Sequence, residues 1–112
     1  MSASKLERMG GTLELPPKLR LRRVTAQTIG EAVDKTRKNG AGEDELQEML
    51  AWLNKNCTSD MARRWKSTWN FFPNAGDDDP VSFTRWLGGK FWRDSFRRGG
   101  KWDGYDCVVE KY

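Results

Sequence analysis

Six tryptophans stand in 112 residues, and four of them, Trp65, Trp69, Trp86 and Trp92, are interleaved with Arg63, Arg64, Lys66, Arg85, Lys90 and Arg93. Indole and phenyl rings bury large areas, and arginine is the cation that stacks on ring faces and forks onto phosphate or carboxylate. The second half of the chain must therefore build a dense aromatic core, a cationic contact surface, or both. Its length suits one domain with a single core. With 32% charged residues the chain would tend to disorder if aromatics were few, but thirteen Trp, Phe and Tyr side chains supply the missing burial.

The formal charge of +4 understates a local asymmetry. Between residues 81 and 101 stand Arg85, Lys90, Arg93, Arg97, Arg98 and Lys101 against Asp94 alone, while Asp77, Asp78 and Asp79 crowd the segment before them. A basic stretch of this kind suits nucleic acid, an anionic surface or an acidic protein face. Cys57 and Cys107 are fifty residues apart and fit no paired redox or zinc spacing, so two buried thiols in a reducing, cytoplasmic setting are expected. No stretch is apolar for long enough to span a bilayer as a helix, and no membrane partner is expected.

Periodicity predicts a mainly α fold, a compact single-domain bundle of four to five short helices with possible short terminal β-strands. Residues 1–11 read as a flexible tail, 12–27 as an extended basic arm or edge strand, and 28–112 as the helical domain. Thr28 and Glu31 have capping-box spacing for a first helix ending near Gly40. Leu46, Met49, Leu50 and Leu53 form the apolar stripe of a second, with Glu43, Asp44 and Glu45 at its positive end. A third is expected from Thr58 to the Phe72-Pro73 junction. A fourth would open at Asp79-Pro80 with Phe83, Trp86 and Leu87 inward, bend or break at Gly88-Gly89, and continue through Phe91, Trp92, Ser95 and Phe96. The alternation of Cys107 and Val109 with Val108 and Glu110 suits a final strand.

The chain contains no histidine, which removes the commonest general base and His-ligated metal sites. Asp77 to Asp79, with Asp103, Asp106 and Glu110, are the carboxylates open to a magnesium ion, but their spacing matches no metal or nuclease pattern, and capping in a solvated loop explains them better. The glycine pairs lack the lysine-serine ending of a phosphate loop. No enzyme activity, catalytic residue, metal or cofactor is expected.

The candidate contact residues are then the cations and the two tryptophans least tied to an apolar stripe. Arg85, Lys90, Arg93, Arg97, Arg98 and Lys101 would contact phosphates, adjoined by Arg63, Arg64 and Lys66 and by the arm residues Arg20, Arg22 and Arg23, while Trp92 and Trp102 would stack on bases. Trp52, Trp65, Trp69 and Trp86 are assigned to the core. In aromatic composition alone, the segments ending near Trp86 and Trp102 resemble the C-terminal helical modules of phage and bacterial primosome accessory proteins, and the resemblance assigns no residue a role. The expected function is a small basic DNA- or RNA-binding accessory or regulator of replication or transcription, of the kind found in phages and mobile elements. The alternative is an adaptor or inhibitor that docks on a partner protein through exposed Trp and Arg.

Overall fold

The computed structural model describes residues 18–56 and 68–112. In place of a helical bundle, the described residues form an α/β fold, with two α-helices and a five-stranded mixed sheet. In chain order the elements are β1 (Leu19–Arg22), α1 (Ile29–Thr36) with a 3-10 turn at Arg37–Asn39, α2 (Glu43–Asn56), β2 (Asn70–Phe71), β3 (Val81–Leu87), β4 (Lys90–Phe96) and β5 (Cys107–Lys111). Across the sheet the order is β1-β5-β2-β3-β4, parallel only between β2 and β5.

Both expected N-terminal helices form where their caps and stripes lie. The Thr28 hydroxyl accepts from the Glu31 amide at 3.1 Å, and the Glu31 carboxylate accepts from the Gln27 amide at 3.2 Å. Along α2, Leu46, Met49 and Leu53 are buried. The third expected helix falls largely outside the described residues, but its end is extended, because Asn70 and Phe71 pair with both β3 and β5.

The fourth expected helix and its continuation are instead the hairpin β3–β4. Gly88 and Gly89 have φ of 61° and 90°, and strand pairing runs unbroken from Leu87↔Lys90 to Val81↔Phe96. Two adjacent positive φ values are what a two-residue hairpin turn requires, and glycine adopts them without strain. Rings at i, i+3 and i+4 suggested a helix, but Val81, Phe83 and Arg85 against Ser82, Thr84 and Trp86 also alternate with period two, and tertiary pairing selects that reading. Asp79 does not cap a helix; its carboxylate accepts from the Arg98 amide at 3.2 Å.

The helices cover opposite faces of the sheet. On the α2 side, Leu46, Met49 and Leu53 pack with Leu19, Leu21, Phe91, Cys107 and Val109, bordered by Trp86. On the α1 side, Ile29, Ala32 and Val33 pack with Phe71, Val81, Phe83, Trp102 and Val108. β5 lies between β1 and β2, and its first four residues are all buried.

At the outer edge of β4, the Asn54 side chain both accepts from the Phe91 amide at 2.8 Å and donates to the Phe91 carbonyl at 3.1 Å. The helix thus occupies backbone groups that would otherwise be free to pair with another strand.

Among the buried residues of β5 is Glu110, 1% exposed, which lies between Arg20 and Arg22 with nitrogen–oxygen distances of 3.1 Å to each. The arginines remain partly in water while the carboxylate does not, so the two sides of the pair are unequal. Replacing both arginines by alanine leaves a buried charge unpaired and is expected to lower stability by about 3 kcal/mol. Glu110→Gln, which frees solvated arginines and keeps an acceptor, is expected to lower it by only about 1 kcal/mol. Urea unfolding of the two variants measures the difference, and equal losses would contradict this assignment.

Candidate functional site

The sheet brings some of the sequence-derived candidates together and disperses others. Arg20 and Arg22 sit on the edge strand β1 and are held by Glu110. Arg23 lies near Cys107, whose thiol is pushed up to about 12, by burial first and against the lowering influence of Arg23. Arg63, Arg64 and Lys66 lie outside the described residues.

Arg93 points to the α2 side of the hairpin and is bound to Glu43 at the start of α2, with a further contact of 3.2 Å to the Ser82 hydroxyl. Arg98 joins a closed ring of alternating charge. Its guanidinium reaches Asp34 at 2.5 Å and Asp78 at 3.1 Å, and Arg37 reaches the same two carboxylates at 2.8 Å each. Arg98 first, then Arg37, holds Asp34 below the ordinary carboxylate range. The aspartate loop therefore ties α1 to the segment after β4. Among the described residues no group of three or more acidic or cysteine side chains is placed to hold a metal ion.

Trp102 is 5% exposed, packs with Phe71 and Val108, and its indole donates to the Val24 carbonyl at 2.8 Å, so it belongs to the core. Trp92 is 48% exposed. Its indole donates to the Leu87 carbonyl at 2.9 Å, and Lys90 Nζ lies 4.4 Å from its ring centroid, which fixes the ring on the surface in one orientation.

On the α1 side of the β3–β4 hairpin, Trp92 and Leu87 are exposed while Arg85 and Trp69 are partly buried. Arg85 stands directly opposite Trp92 in the hairpin register, with its guanidinium carbon 5.8 Å from the Trp69 ring centroid. Trp69 in turn stacks on Phe83 at 4.3 Å and meets Phe96 at 5.9 Å, nearly edge to face. The Arg85 Nε is 3.4 Å from an Asp94 oxygen but makes no hydrogen bond, so that contact is Coulombic and leaves the donor unsatisfied. Leu87, 53% exposed, continues the strip at the hairpin end. At the other end, the Arg97 guanidinium lies 5.0 Å from the Phe96 centroid.

Below that end is a cavity of about 470 Å³, lined by Ile29, Trp69, Phe96, Arg97, Lys101, Asp103 and Asp106. Its position follows from local backbone chemistry. The Asp103 carbonyl accepts from the Asp106 amide at 2.9 Å and the Asp103 carboxylate accepts from the Tyr105 amide at 3.0 Å, closing a turn that delivers Asp106 to the start of β5. Asp106, 7% exposed, then accepts from the Trp69 amide at 3.1 Å. Burial pushes its carboxyl up to about 6, with the Trp69 amide opposing and Asp103 adding to the rise. A carboxyl of raised pKa beside an open cavity is a feature of functional sites.

Sequence reasoning assigned Trp69 to the core and considered Asp106 only as a metal ligand. The structure makes both part of the cavity wall. Their link is an amide-to-carboxylate bond between residues 37 apart, which no local pattern encodes.

Comparison of the chain with protein-family models, with curated proteins and with solved structures finds no match. Among the described residues no helix is long and apolar enough to cross a membrane.

Because the Asp106 carboxyl binds its proton more tightly in the folded protein than in the unfolded chain, its contribution to stability is complete below pH 3.8 and is lost as pH rises through about 6. Asp106→Asn keeps an acceptor for the Trp69 amide and carries no charge. At pH 8 the variant is expected to be more stable than the parent by about 2 kcal/mol, and at pH 4 to match it, as read by denaturant unfolding at both pH values.

Proposed function

We propose that the protein is a docking module that holds an acidic segment of a partner protein against the face of the β3–β4 hairpin that carries Trp92. The observation that supports this reading is the pairing of Arg85 and Trp92 on one face of the hairpin, a partly exposed arginine whose buried Nε makes no hydrogen bond beside an indole that is half in water. Trp and Arg are the residue types that dominate protein interfaces, and a ring already held by Leu87 and Lys90 loses little freedom on binding. Among the described residues, Lys90, Arg97 and Lys101 form no salt bridge with a carboxylate and border the aromatic strip, which favours an acidic partner.

The other reading, nucleic-acid binding, depends on a continuous cationic track. Arg20, Arg22, Arg93 and Arg98 are each engaged by carboxylates of the same chain, and Arg93 is on the opposite side of the hairpin from Trp92. Exposed aromatics with scattered cations fit a protein surface better than a phosphate backbone.

A photo-crosslinker placed at Leu87 tests the proposal in nuclease-treated cell extract. The expected result is a discrete protein adduct whose yield falls at least tenfold with Trp92→Ala, as for an interface hot spot. Adducts that vanish on nuclease treatment would transfer the face to nucleic acid, and a protein adduct unaffected by Trp92→Ala would overturn the assignment of the anchor.

A further inference from the structure

The cavity beneath Trp69 has a lining that the docking proposal does not use. Its walls are apolar or aromatic at Ile29, Trp69 and Phe96, cationic at Arg97 and Lys101, and it holds one buried acceptor, Asp106. One oxygen of Asp106 takes the Trp69 amide proton, and no hydrogen bond to the other is formed by the described residues. The Arg97 guanidinium is steadied on the Phe96 ring. The Lys101 backbone is fixed by its bridge to Thr28. Gly100 completes the packing, since a Cβ there would lie 2.5 Å from the Phe96 ring and 3.1 Å from Ile29.

This combination selects against most ligands. A simple cation would meet Asp106 and Asp103 but also Arg97 and Lys101. A simple anion would meet the reverse, and a purely apolar group would leave the second oxygen of the Asp106 carboxyl, the one not bound by the Trp69 amide, unused. What satisfies every wall is a flat ring with an N–H donor at one end and an anionic group at the other. A volume of about 470 Å³ is within the range of ligand pockets, roughly 300–1,000 Å³.

We infer that this cavity receives the C-terminal tryptophan of the partner segment, its indole N–H donating to Asp106 and its free carboxylate meeting Arg97 and Lys101. The inference rests on the docking reading, and it names the part of the partner that reaches furthest into the domain. On this face of β4, Trp92, Asp94 and Phe96 follow one another toward the cavity, which Phe96 lines, so the hairpin surface and the cavity adjoin. The ring would contact Ile29 and Phe96, because one face of Trp69 is stacked on Phe83 and Arg85 lies over the same indole.

Three small probes separate the parts of this claim on the unaltered protein. N-acetyltryptophan carries both the donor and the carboxylate, N-acetylphenylalanine lacks the N–H, and N-acetyltryptophanamide lacks the carboxylate. Titrations followed by the backbone amide resonances of residues 96–106 are expected to show N-acetyltryptophan binding at least about tenfold more tightly than either of the others. Asp106→Asn should reduce the advantage over N-acetylphenylalanine. The double replacement Arg97→Ala and Lys101→Ala should abolish the advantage over the amide.

Equal binding of the three probes, or no binding at millimolar concentration, would overturn the inference. Displacement of N-acetyltryptophan by a lower concentration of adenosine monophosphate would also overturn it and assign the cavity to nucleotides. The docking reading fails separately. If Trp92→Ala removes the crosslinked partner while the probes do not bind, the hairpin surface stands and the pocket assignment falls. If the probes bind as described while the partner adduct ignores Trp92→Ala, the cavity remains a ligand site and the hairpin surface is wrong.

Discussion

The register set by the Gly88-Gly89 turn is the constraint on which the surface depends. Side chains alternate across a strand, so a shift of one residue would exchange the two faces of the hairpin. In the observed register, Trp86 and Phe91 meet on the α2 side and help close that core, while Arg85 and Trp92 meet on the other. The same two glycines therefore decide which aromatic rings are buried and which remain available. Asn54 reinforces the arrangement from α2 by binding the outer backbone of Phe91, which lets β4 end the sheet without recruiting another strand.

Charge is distributed by the fold in a way that total composition conceals. The chain is basic, yet several arginines among the described residues join its own segments: Arg20 and Arg22 fasten β1 to β5, Arg93 ties β4 to α2, and Arg98 ties the end of the hairpin to α1 and the aspartate loop. Exposed members of such a network each contribute little, and their greater effect is geometric, since they fix loops at the places where strands end. On the α1 side of the hairpin stand Trp92, Asp94 and Phe96 with Lys90, Arg97 and Lys101 nearby, and a cavity whose acceptor is buried. Both features suit recognition by shape and hydrogen bonding more than by long-range field.

How much of this was legible in the sequence depended on the range of the interactions. α1 and α2 were readable because their caps and stripes are local: Thr28 and Glu31 are three residues apart, and Leu46, Met49 and Leu53 repeat within one helix. β5 was readable from its alternation, and β1 as one of two alternatives. The hairpin is not legible locally, because Phe83, Trp86 and Leu87, and then Phe91, Trp92, Ser95 and Phe96, satisfy a helical wheel as well as a strand, and a glycine pair suits a helix break as well as a turn. The site was less legible still. Trp92 was named as a contact residue and is exposed, but Trp102 was named with it and is buried, and Asp106 gains its environment only when β5 inserts beside β2. The cations were visible one by one, but their carboxylate partners lie far away in the chain, so neutralisation could not be read from local charge.

Among the described residues, Arg20, Arg22, Arg37, Arg93 and Arg98 are held in internal ion pairs, and protein recognition by the face that carries Trp92 is our proposal. The most direct measurement is a fluorescence-anisotropy titration of the full chain against a single-stranded oligonucleotide, repeated from low to moderate salt. Weak binding with a shallow dependence on salt is expected, equivalent to no more than about two or three neutralised phosphates. Tight binding that falls steeply with salt, as expected when six or more phosphates are neutralised, would contradict it.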